Sequence, residues 1–350
     1  MARNYRVLML GASYGSLFGM KLALAGHDVT LVCLAPEREA IDRDGVELRL
    51  PIRGRETPLV LRSAEAPGRI DTADTSVDPA GYDMVGLAMQ EPQYRAPGVR
   101  ELLERTAAAR VPAVSIMNMP PLAYLRRLPG LDTGALEEAY TDARVWDGVD
   151  PAAITLASPD PQAFRPPEAG PNVLQVSLPT NFKIARFEDE GATAMLREMA
   201  AGVDALDHEG ASLPVKLRVF ESPYVPLAKW AMLLAGNYRC VTPTGLRSIR
   251  EAVHDDPALS REVYDFVCRV ARGIGAAEAD LVPFEKYAAA AEGLVRPSSA
   301  ARALDAGAPA IERVDRLVQA IGRRQGLSHP AVDEVVALVD ERLARSRAAA

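Results

Sequence analysis

Residues 5–32, YRVLMLGASYGSLFGMKLALAGHDVTLV, are the stretch that decides the fold. The apolar run at 7–10 has the length of a strand that is buried on both faces. Small residues at 11–15 then turn the chain, and apolar residues recur at helical spacing until Gly26. Apolar and polar residues alternate at 28–33, which predicts a second strand. The stretch therefore predicts the first half of a nucleotide-binding α/β fold.

The turn at 11–15, GASYG, suits a dinucleotide. A helix N-terminus offers unpaired N–H groups and a partial positive charge, and small residues allow a pyrophosphate to approach them. The turn is one residue shorter than the GxGxxG pattern, with Ser13 in place of the second glycine. The alternative is a tight turn that binds nothing. We predict that the cofactor-binding residues here are Gly11, Ala12, Ser13, Tyr14, Gly15 and Ser16.

Composition excludes several classes of protein. The chain has 350 residues, 48% of them hydrophobic and 25% charged, which is enough for two globular domains with sizeable cores. Its net charge of −7, with both signs interspersed, argues against a nucleic-acid groove. The three cysteines are widely spaced and odd in number, so neither a disulfide framework nor a metal site is expected.

The same features predict a cytoplasmic protein. Unpaired cysteines fit a reducing compartment. The first strand begins almost at once, which leaves no room for a signal peptide, and no apolar run reaches the roughly 20 residues of a membrane span. We therefore expect no membrane partner.

The alternation of strands and helices continues beyond the first unit. Residues 83–88 and 111–117 read as buried strands separated by a helix near 99–109, which predicts a parallel sheet. Residues 46–60 read as a hairpin or irregular strands attached to that sheet. The carboxyl edge of the sheet then carries three further candidates, namely Met89, Gln90 and Asn118.

Strand-like segments at 172–178 and 183–187 close the first domain, after which helical periodicity takes over. We therefore predict a Rossmann-type α/β domain at 1–188 and an all-α domain at 189–350. The long loop within 128–171 is either a lid, a partner surface or a solvated insertion.

A lysine in an apolar helix is the main candidate for chemistry. Lys229 follows Pro226 and stands among apolar or small residues. Burial disfavours the charged form of a lysine, as a general acid near neutral pH requires, although Lys229 can instead extend to solvent. Asn237 lies eight residues further on, about 80° around a regular helix, so both side chains can border one pocket.

The chain resembles the ketopantoate reductase family, whose members join a Rossmann domain to an all-α domain. The family has GAGAIGSLFG before AGHDVTLV, and this chain has GASYGSLFG and AGHDVTLV with one residue fewer in the turn. SIMNMPP around Asn118 is similar to the family's asparagine loop. The family's lysine is followed at intervals of four by two asparagines; Lys229 and Asn237 match the first and third positions, while Leu233 replaces the second. Residues 296–315, RPSSAARALDAGAPAIERVD, are similar to the family's serine pair and the segment after it.

The resemblance implies hydride transfer from a nicotinamide to a 2-keto acid. By the same resemblance, Lys229 protonates the developing alkoxide and Asn118 helps to hold cofactor and substrate. Ser299 binds the substrate carboxylate, and Asn237 lies near the reacting group.

The departures from the family point to a different substrate. Counting without a gap from the serine pair, the family's substrate-binding glutamate falls at Ile311, and Glu312 stands beside it. A one-residue shift restores that glutamate; otherwise the contact to ketopantoate is missing. Arg296 replaces a small polar residue and suits a second carboxylate or a phosphate, or else forms an exposed salt bridge.

The choice of cofactor follows from two missing cations. Family members that prefer NADPH carry an arginine and a lysine where this chain has Leu34 and Met89. No acidic residue ends the second strand either, although Glu37 or Arg38 can serve either sugar. We expect NAD(H), with NADP(H) as the open alternative.

Three hypotheses follow. The first is a reductase whose small-molecule substrate is a keto acid, with a homodimer as an open possibility. The second is a non-catalytic nucleotide or metabolite sensor on a reductase scaffold. The third is an opine-type dehydrogenase that reduces an imine.

Overall fold

The computed structural model describes residues 3–349, which form two compact units. Unit 1 comprises the chain up to Met89 together with Gln93–Arg127 and Arg144–Pro223. Unit 2 comprises Gln90–Pro92, Leu128–Ala143 and the chain from Tyr224 onward. Each unit is therefore assembled from three separate segments of sequence.

Unit 1 is the α/β unit. Its strands are β1 (Arg6–Leu10), β2 (Asp28–Val32), β3 (Glu47–Leu50), β4 (Leu59–Arg62), β5 (Ile70–Ala73), β6 (Met84–Leu87), β7 (Ala113–Ile116), β8 (Ile154–Ser158), β9 (Gln162–Phe164), β10 (Val173–Leu178), β11 (Phe182–Ala185), β12 (Asp207–His208), β13 (Ala211–Ser212) and β14 (Leu217–Phe220). Its helices are α1 (Tyr14–Leu24), α2 (Ala35–Asp44), α3 (Pro97–Ala108), α4 (Leu122–Leu125) and α5 (Glu190–Asp204).

The main sheet of unit 1 has eight strands in the order β14-β11-β8-β7-β6-β1-β2-β5. The six strands from β8 to β5 are parallel, and β11 pairs antiparallel with β8. This sheet and the helices of unit 1 confirm the predicted Rossmann-type class. The hairpin β3–β4 is also confirmed, but it joins β10 and β9 in a separate four-stranded sheet rather than the main one.

Unit 2 is mostly helical. Its helices are α6 (Lys229–Met232), α7 (Ile249–His254), α8 (Pro257–Gly273), α9 (Phe284–Ala291), α10 (Ser299–Asp305), α11 (Val314–Arg324) and α12 (Pro330–Ala349), and it has one short hairpin, β15 (Val241–Thr242) and β16 (Gly245–Leu246). The helix-rich C-terminal half confirms the second part of the predicted fold class.

The chain after residue 188 nevertheless begins inside unit 1. Helix α5 buries Leu196, Met199 and Val203 in the same core as Phe18 of α1, and β14 extends the main sheet. The prediction that everything after residue 188 is helical was therefore wrong for β14 and for the small hairpins β12–β13 and β15–β16. The predicted boundary falls within unit 1, just before α5.

Residues 128–171 do not form a solvated insertion. In unit 2, Leu136 is fully buried, its segment packs on α11, and Asp132 pairs with Arg324 at 2.6 Å. In unit 1, Trp146 is fully buried with its ring 5.3 Å from that of Tyr94. Strands β8 and β9 also arise within this range.

Helix α1 packs closely on the main sheet because Gly19 has no side chain. A Cβ at Gly19 would lie 2.9 Å from Cγ1 of Val29, whereas a Cβ at Gly15 would lie 3.5 Å from its nearest neighbour, on Met9. Gly19 thus performs the helix–strand packing that the third glycine of the dinucleotide pattern performs.

Helix α1 also buries a lysine. Lys21 is fully buried, and its Nζ donates to the carbonyl oxygen of Pro214 at 3.0 Å. Burial, with the charge of Lys216 nearby, lowers the pKa of Lys21 to about 7. The unit therefore carries an ammonium whose charged form it disfavours near neutral pH.

We expect Gly19→Ala to destabilise the protein by about 1–3 kcal/mol, because the added methyl overpacks α1 against β2. Gly15→Ala is the matched control on the same helix and should leave the midpoint of thermal or urea unfolding within error. Equal midpoints for the two variants would contradict the packing argument.

We expect Lys21→Met to stabilise the protein near pH 7 by roughly 1–3 kcal/mol, because removing the buried charge gains more free energy than losing the hydrogen bond to Pro214 costs. The folded pKa of about 7 lies below the ordinary lysine value of 10.5, so the wild-type penalty is complete below pH 7 and is relieved as the pH rises toward 10.5. The variant should therefore gain less stability between pH 7 and 10. Urea unfolding across that range measures this, with exposed Lys286→Met as control.

Candidate functional site

The order of strands in the main sheet reverses at β1. Strand β2 lies on one side of β1 and β6 lies on the other, and β1 and its two neighbours run parallel. Ligands of open α/β sheets bind outside the carboxyl ends of the strands at such a point. The turn after β1, Met89 after β6 and Asn118 after β7 all stand at this edge.

The turn after β1 is held by backbone geometry that only glycine allows easily. Gly11 has φ of +103°, and its N–H donates to the carbonyl oxygen of Val32 at 2.9 Å. A Cβ at Gly11 would lie 2.7 Å from Cγ of Met89 and 3.0 Å from the carbonyl oxygen of Ala88. The structure therefore brings the turn and Met89 together at this edge of the sheet.

The other residues of the turn divide into two groups. Ser13 is the N-cap of α1, is exposed, and makes no side-chain capping hydrogen bond. The hydroxyl of Ser16 donates to the carbonyl oxygen of Ala12 at 2.5 Å, and the hydroxyl of Tyr14 donates to the carbonyl oxygen of Pro161 at 2.9 Å. Ser16 therefore stabilises the turn from within, while Tyr14 joins it to the start of β9.

An acidic group reaches the end of β2 after all. Glu37 lies in the first turn of α2, and its Oε2 accepts a hydrogen bond from the N–H of Leu34 at 3.0 Å. Arg38 instead pairs with Asp74 at 3.2 Å. The carboxylate of Glu37, one of the two residues predicted to serve the sugar, lies at the end of β2 because its side chain folds back over the helix start.

The helix that carries Lys229 changes its geometry along its length. A 3₁₀ turn at Val225–Ala228 leads into α6, then a π-helical turn at Leu233–Asn237 and a 3₁₀ turn at Tyr238–Cys240. Lys229 is partly buried at the start of α6, beside fully buried Trp230. Single π turns inside helices are rare and are frequent at functional sites.

The π turn corrects the predicted relation between Lys229 and Asn237. The estimate of about 80° assumed a regular α-helix over eight residues. The i→i+5 bonding at Leu233–Asn237 widens the turn, so that estimate does not apply. Gly236 lies in this turn, and a Cβ there would lie 1.9 Å from the hydroxyl of Tyr287, so Tyr287 packs against the turn only because residue 236 has no side chain.

Side chains satisfy the backbone carbonyls that this irregular helix leaves without regular partners. Five carbonyl oxygens, at positions 232, 235, 236, 237 and 239, accept from side chains. The donors are, in the same order, Tyr287 at 3.0 Å, Arg239 at 3.2 Å, Cys240 at 3.5 Å, Ser298 at 2.7 Å and Arg247 at 2.8 Å. Because unpaired buried carbonyls are costly, these donors hold the helix in its irregular shape.

The two residues of the serine pair have different environments. Ser298 is buried, donates its hydroxyl to the carbonyl oxygen of Asn237, and accepts from the N–H of Ala301 at 3.1 Å as the N-cap of α10. Ser299 is the first residue of α10 and is exposed. Ser298 therefore supports Asn237 directly, and Ser299 leaves its hydroxyl open to solvent.

Glu312 lies in a segment before α11 whose backbone is hydrogen-bonded to Tyr238. The hydroxyl of Tyr238 donates to the carbonyl oxygen of Glu312 at 2.5 Å and accepts from the N–H of Val314 at 3.0 Å. Burial raises the pKa of Tyr238 well above its usual value, so the hydroxyl remains a donor. Beside it, buried Arg313 pairs bidentately with Asp315.

The remaining predicted residues have simpler positions. Ile311 is buried at 2% exposure and Glu312 at 7%, so the residue found by ungapped counting belongs to the core. Arg296 is exposed, and its carbonyl oxygen accepts from the N–H of Ile249. Gln90 is exposed and belongs to unit 2.

Sequence reasoning missed three residues of this region, namely Glu37 as a cap, Ser298 as a cap and Tyr238 as an anchor. A glutamate three residues after an N-cap position and a serine just before a helix are both recognisable start signals. Tyr238 carries no such signal, because its partners are distant backbone groups.

Among residues 3–349, the structure contains no group of three histidine, cysteine, aspartate or glutamate side chains placed to hold a metal ion. In the same range, no helix combines the length and the apolar character that crossing a membrane requires.

No protein-family model matches this sequence, and no curated protein matches it significantly. Solved structures do match it over nearly the whole chain. A PanE/ApbA family ketopantoate reductase from Ralstonia eutropha JMP134 is 18% identical, with a TM-score of 0.64, and the match covers 98% of this chain and 99% of that one.

Two further structures share this fold. D-mandelate dehydrogenase, in a ternary structure with NADH and anilino(oxo)acetate, is 13% identical with a TM-score of 0.63 and coverage of 98% and 99%. A dimeric ketopantoate reductase from Staphylococcus aureus is 11% identical with a TM-score of 0.60 and coverage of 97% and 99%. At these identities the matches establish the fold, and they confirm that the chain has the fold of the ketopantoate reductases whose motifs it resembles.

Proposed function

We propose that this chain is a nicotinamide-dependent reductase of a small 2-keto acid other than ketopantoate. The observation that carries the proposal is the turn at 11–15, which stands at the strand-order reversal with Gly11 against Met89. That position is where open α/β sheets bind nucleotides. The shared fold of a ketopantoate reductase and of D-mandelate dehydrogenase supports the same class of reaction.

The residues of unit 1 fit a dinucleotide. Gly11 keeps the turn free of a side chain, the first turn of α1 has N–H groups without partners inside the helix, and Ser13 is exposed at its N-cap. Met89 and Asn118 stand at the same sheet edge. A bound NAD(P)H supplies the hydride that reduces the keto group.

Lys229 is proposed as the general acid. Negative charge develops on the carbonyl oxygen during reduction, so an ammonium held beside it is stabilised most in the transition state. Lys229 begins α6 and is partly buried against an apolar helix, which limits hydration of its ammonium. It donates the proton that completes the alcohol.

The substrate contacts are proposed for residues of unit 2. Asn237 has its backbone fixed by Ser298, which makes its amide a directed hydrogen-bonding group. Ser299 and Arg296 are exposed and offer a hydroxyl and a guanidinium to a carboxylate. Ile311 is a core residue, so the position found by ungapped counting offers no ketopantoate contact, and Glu312 beside it is proposed as the carboxylate candidate for the substrate.

The cofactor is proposed to be NAD(H). Leu34 and Met89 replace the two cations that bind the extra phosphate of NADPH in the family, whereas Glu37 presents a carboxylate at the end of β2. We include a homodimer in the proposal, since a dimeric reductase shares the fold.

We expect Lys229→Ala to lower kcat by about 10²–10⁴-fold, because the proton donor is lost, while the Kd for NADH changes little. Turnover with a panel of 2-keto acids and NADH measures kcat, and fluorescence titration measures Kd. Added methylammonium should restore part of the activity of Lys229→Ala, and exposed Lys286→Ala is the control. Full turnover by Lys229→Ala would overturn the assignment.

We expect Ser298→Ala to lower stability by about 1–3 kcal/mol, because a buried carbonyl and a helix cap both lose their partner. The same change should raise KM through Asn237. Ser298→Thr keeps the hydroxyl and should restore both properties. Ser299→Ala is the neighbouring control for stability and should raise KM alone. A wild-type KM in Ser298→Ala would show that Ser298 does not position Asn237.

A further inference from the structure

A tyrosine from another helix packs against the π turn at Leu233–Asn237. The hydroxyl of Tyr287 donates to the carbonyl oxygen of Met232 at 3.0 Å, at the point where the turn begins. A Cβ at Gly236 would lie 1.9 Å from the same hydroxyl oxygen, which is far too close for two non-bonded atoms. The hydroxyl therefore occupies the space that a side chain at position 236 would need.

The hydroxyl of Tyr287 is held in this place by its surroundings. Tyr287 lies in α9 and is buried, and its ring stacks on that of Tyr264 with 5.6 Å between the ring centroids. Burial raises the pKa of Tyr287, so its hydroxyl stays protonated and remains a donor. A side chain that inserts into the i→i−4 ladder of a helix is a known cause of departure from α geometry. Tyr287 therefore provides a physical reason for the π turn.

The π turn changes the face of the helix on which Asn237 lies. In a regular α-helix, eight residues advance by about 800°, which would leave Asn237 about 80° away from Lys229. A π turn takes up about one residue more than an α turn, so Asn237 takes the angular place of the seventh residue after Lys229. Seven residues advance by about 700°, which reduces the separation to about 20°. The π turn thus returns Asn237 to the face of Lys229, two turns further along the helix.

We propose that Tyr287 and Gly236 are positioning residues, which together produce the π turn that brings Asn237 onto the face of Lys229. This inference rests on the proposed function, since it concerns the proposed proton donor and a proposed substrate contact. Tyr287 and Gly236 act through the helix and do not touch the substrate. The hydroxyl supplies the inserted donor, and the glycine supplies the space for it.

The first test is Tyr287→Phe in the full-length protein, which keeps the ring and removes the hydroxyl. The carbonyl oxygen of Met232 then loses the inserted donor, and Asn237 should turn away from the face of Lys229. With NADH and the 2-keto acid that wild type reduces fastest, kcat/KM should fall by about tenfold, as expected for one lost substrate hydrogen bond. KM should change more than kcat, because Lys229 precedes the π turn and keeps its place.

Tyr264→Phe is the matched control. The hydroxyl of Tyr264 also donates to a backbone carbonyl oxygen, that of Val282 at 2.7 Å, but this carbonyl lies outside the helix of Lys229 and Asn237. Tyr264→Phe should lower the midpoint of thermal unfolding about as much as Tyr287→Phe does, and it should leave kcat and KM at their wild-type values. Equal kinetic losses in the two variants would show that Tyr287 has a structural role only.

Gly236→Ala tests the same contact from the helix side without an assay of activity. The added methyl group has no room beside the hydroxyl, so the midpoint of thermal unfolding should fall further than in Tyr287→Phe. Without the hydroxyl, the nearest atoms to that methyl are Cγ2 of Ile249 at 3.2 Å and Cζ of residue 287 at 3.3 Å, which small shifts accommodate. Gly236→Ala should therefore lower the midpoint much less when Tyr287→Phe is also present. Additive losses would overturn the proposed contact.

Failure of the proposed function gives a different pattern of results. If wild type reduces none of a panel of 2-keto acids with NADH or NADPH, the proposed function is overturned and the positioning role falls with it. If wild type is active and Tyr287→Phe keeps the wild-type KM, the proposed function stands and the positioning role is overturned. A crystal structure of Tyr287→Phe that retains the π turn would overturn the positioning role as well.

Discussion

The close approach of α1 to the start of the main sheet is the constraint on which unit 1 depends. Gly19 lets the helix lie against Val29, and the left-handed backbone at Gly11 brings the turn against Met89. Both contacts exclude a Cβ, so the position of the helix N-terminus is set by the absence of side chains. The direction of the α1 dipole, and with it the place where an anion is stabilised, follows from that packing.

Unit 2 is organised by a different principle, the satisfaction of backbone carbonyls. Its central helix passes from 3₁₀ to α to π and back to 3₁₀ geometry within 16 residues, Val225 to Cys240. Hydrogen-bond donors from five side chains stabilise that shape, and one of them, Ser298, also caps α10. A polar network in which every group has a partner specifies one conformation, whereas a partly satisfied one would not. The positions of Lys229 and Asn237 therefore depend on side chains that are not themselves proposed to contact the substrate.

The sequence predicted most of the fold because the decisive signals are local. The β-α-β start, the hairpin at 46–60 and the buried strands at 83–88 and 111–117 follow from periodicity and turn residues, and each is present. Strand β14 was missed, since a four-residue strand after a long helix carries too little pattern to be separated from helix. The π turn after α6 was missed for another reason, because its contact with Tyr287 is distant in sequence and no spacing within one segment reveals it. The cap formed by Glu37 does have a local signal, its three-residue spacing from Leu34, which was overlooked.

Unit 2 is built from separate segments of the sequence, and this has a consequence for the synthesis of the chain. Leu136, fully buried in the folded protein, belongs to a segment that packs on α11. That helix begins at Val314, roughly 180 residues later in the chain. At about 5–20 residues per second, the ribosome delivers the covering helix roughly 10–40 s after the leucine has been synthesised. During that interval an apolar segment in the middle of the nascent chain has no native partner, so the rate of translation and the help of chaperones bear on this protein more than on one whose domains follow each other in sequence.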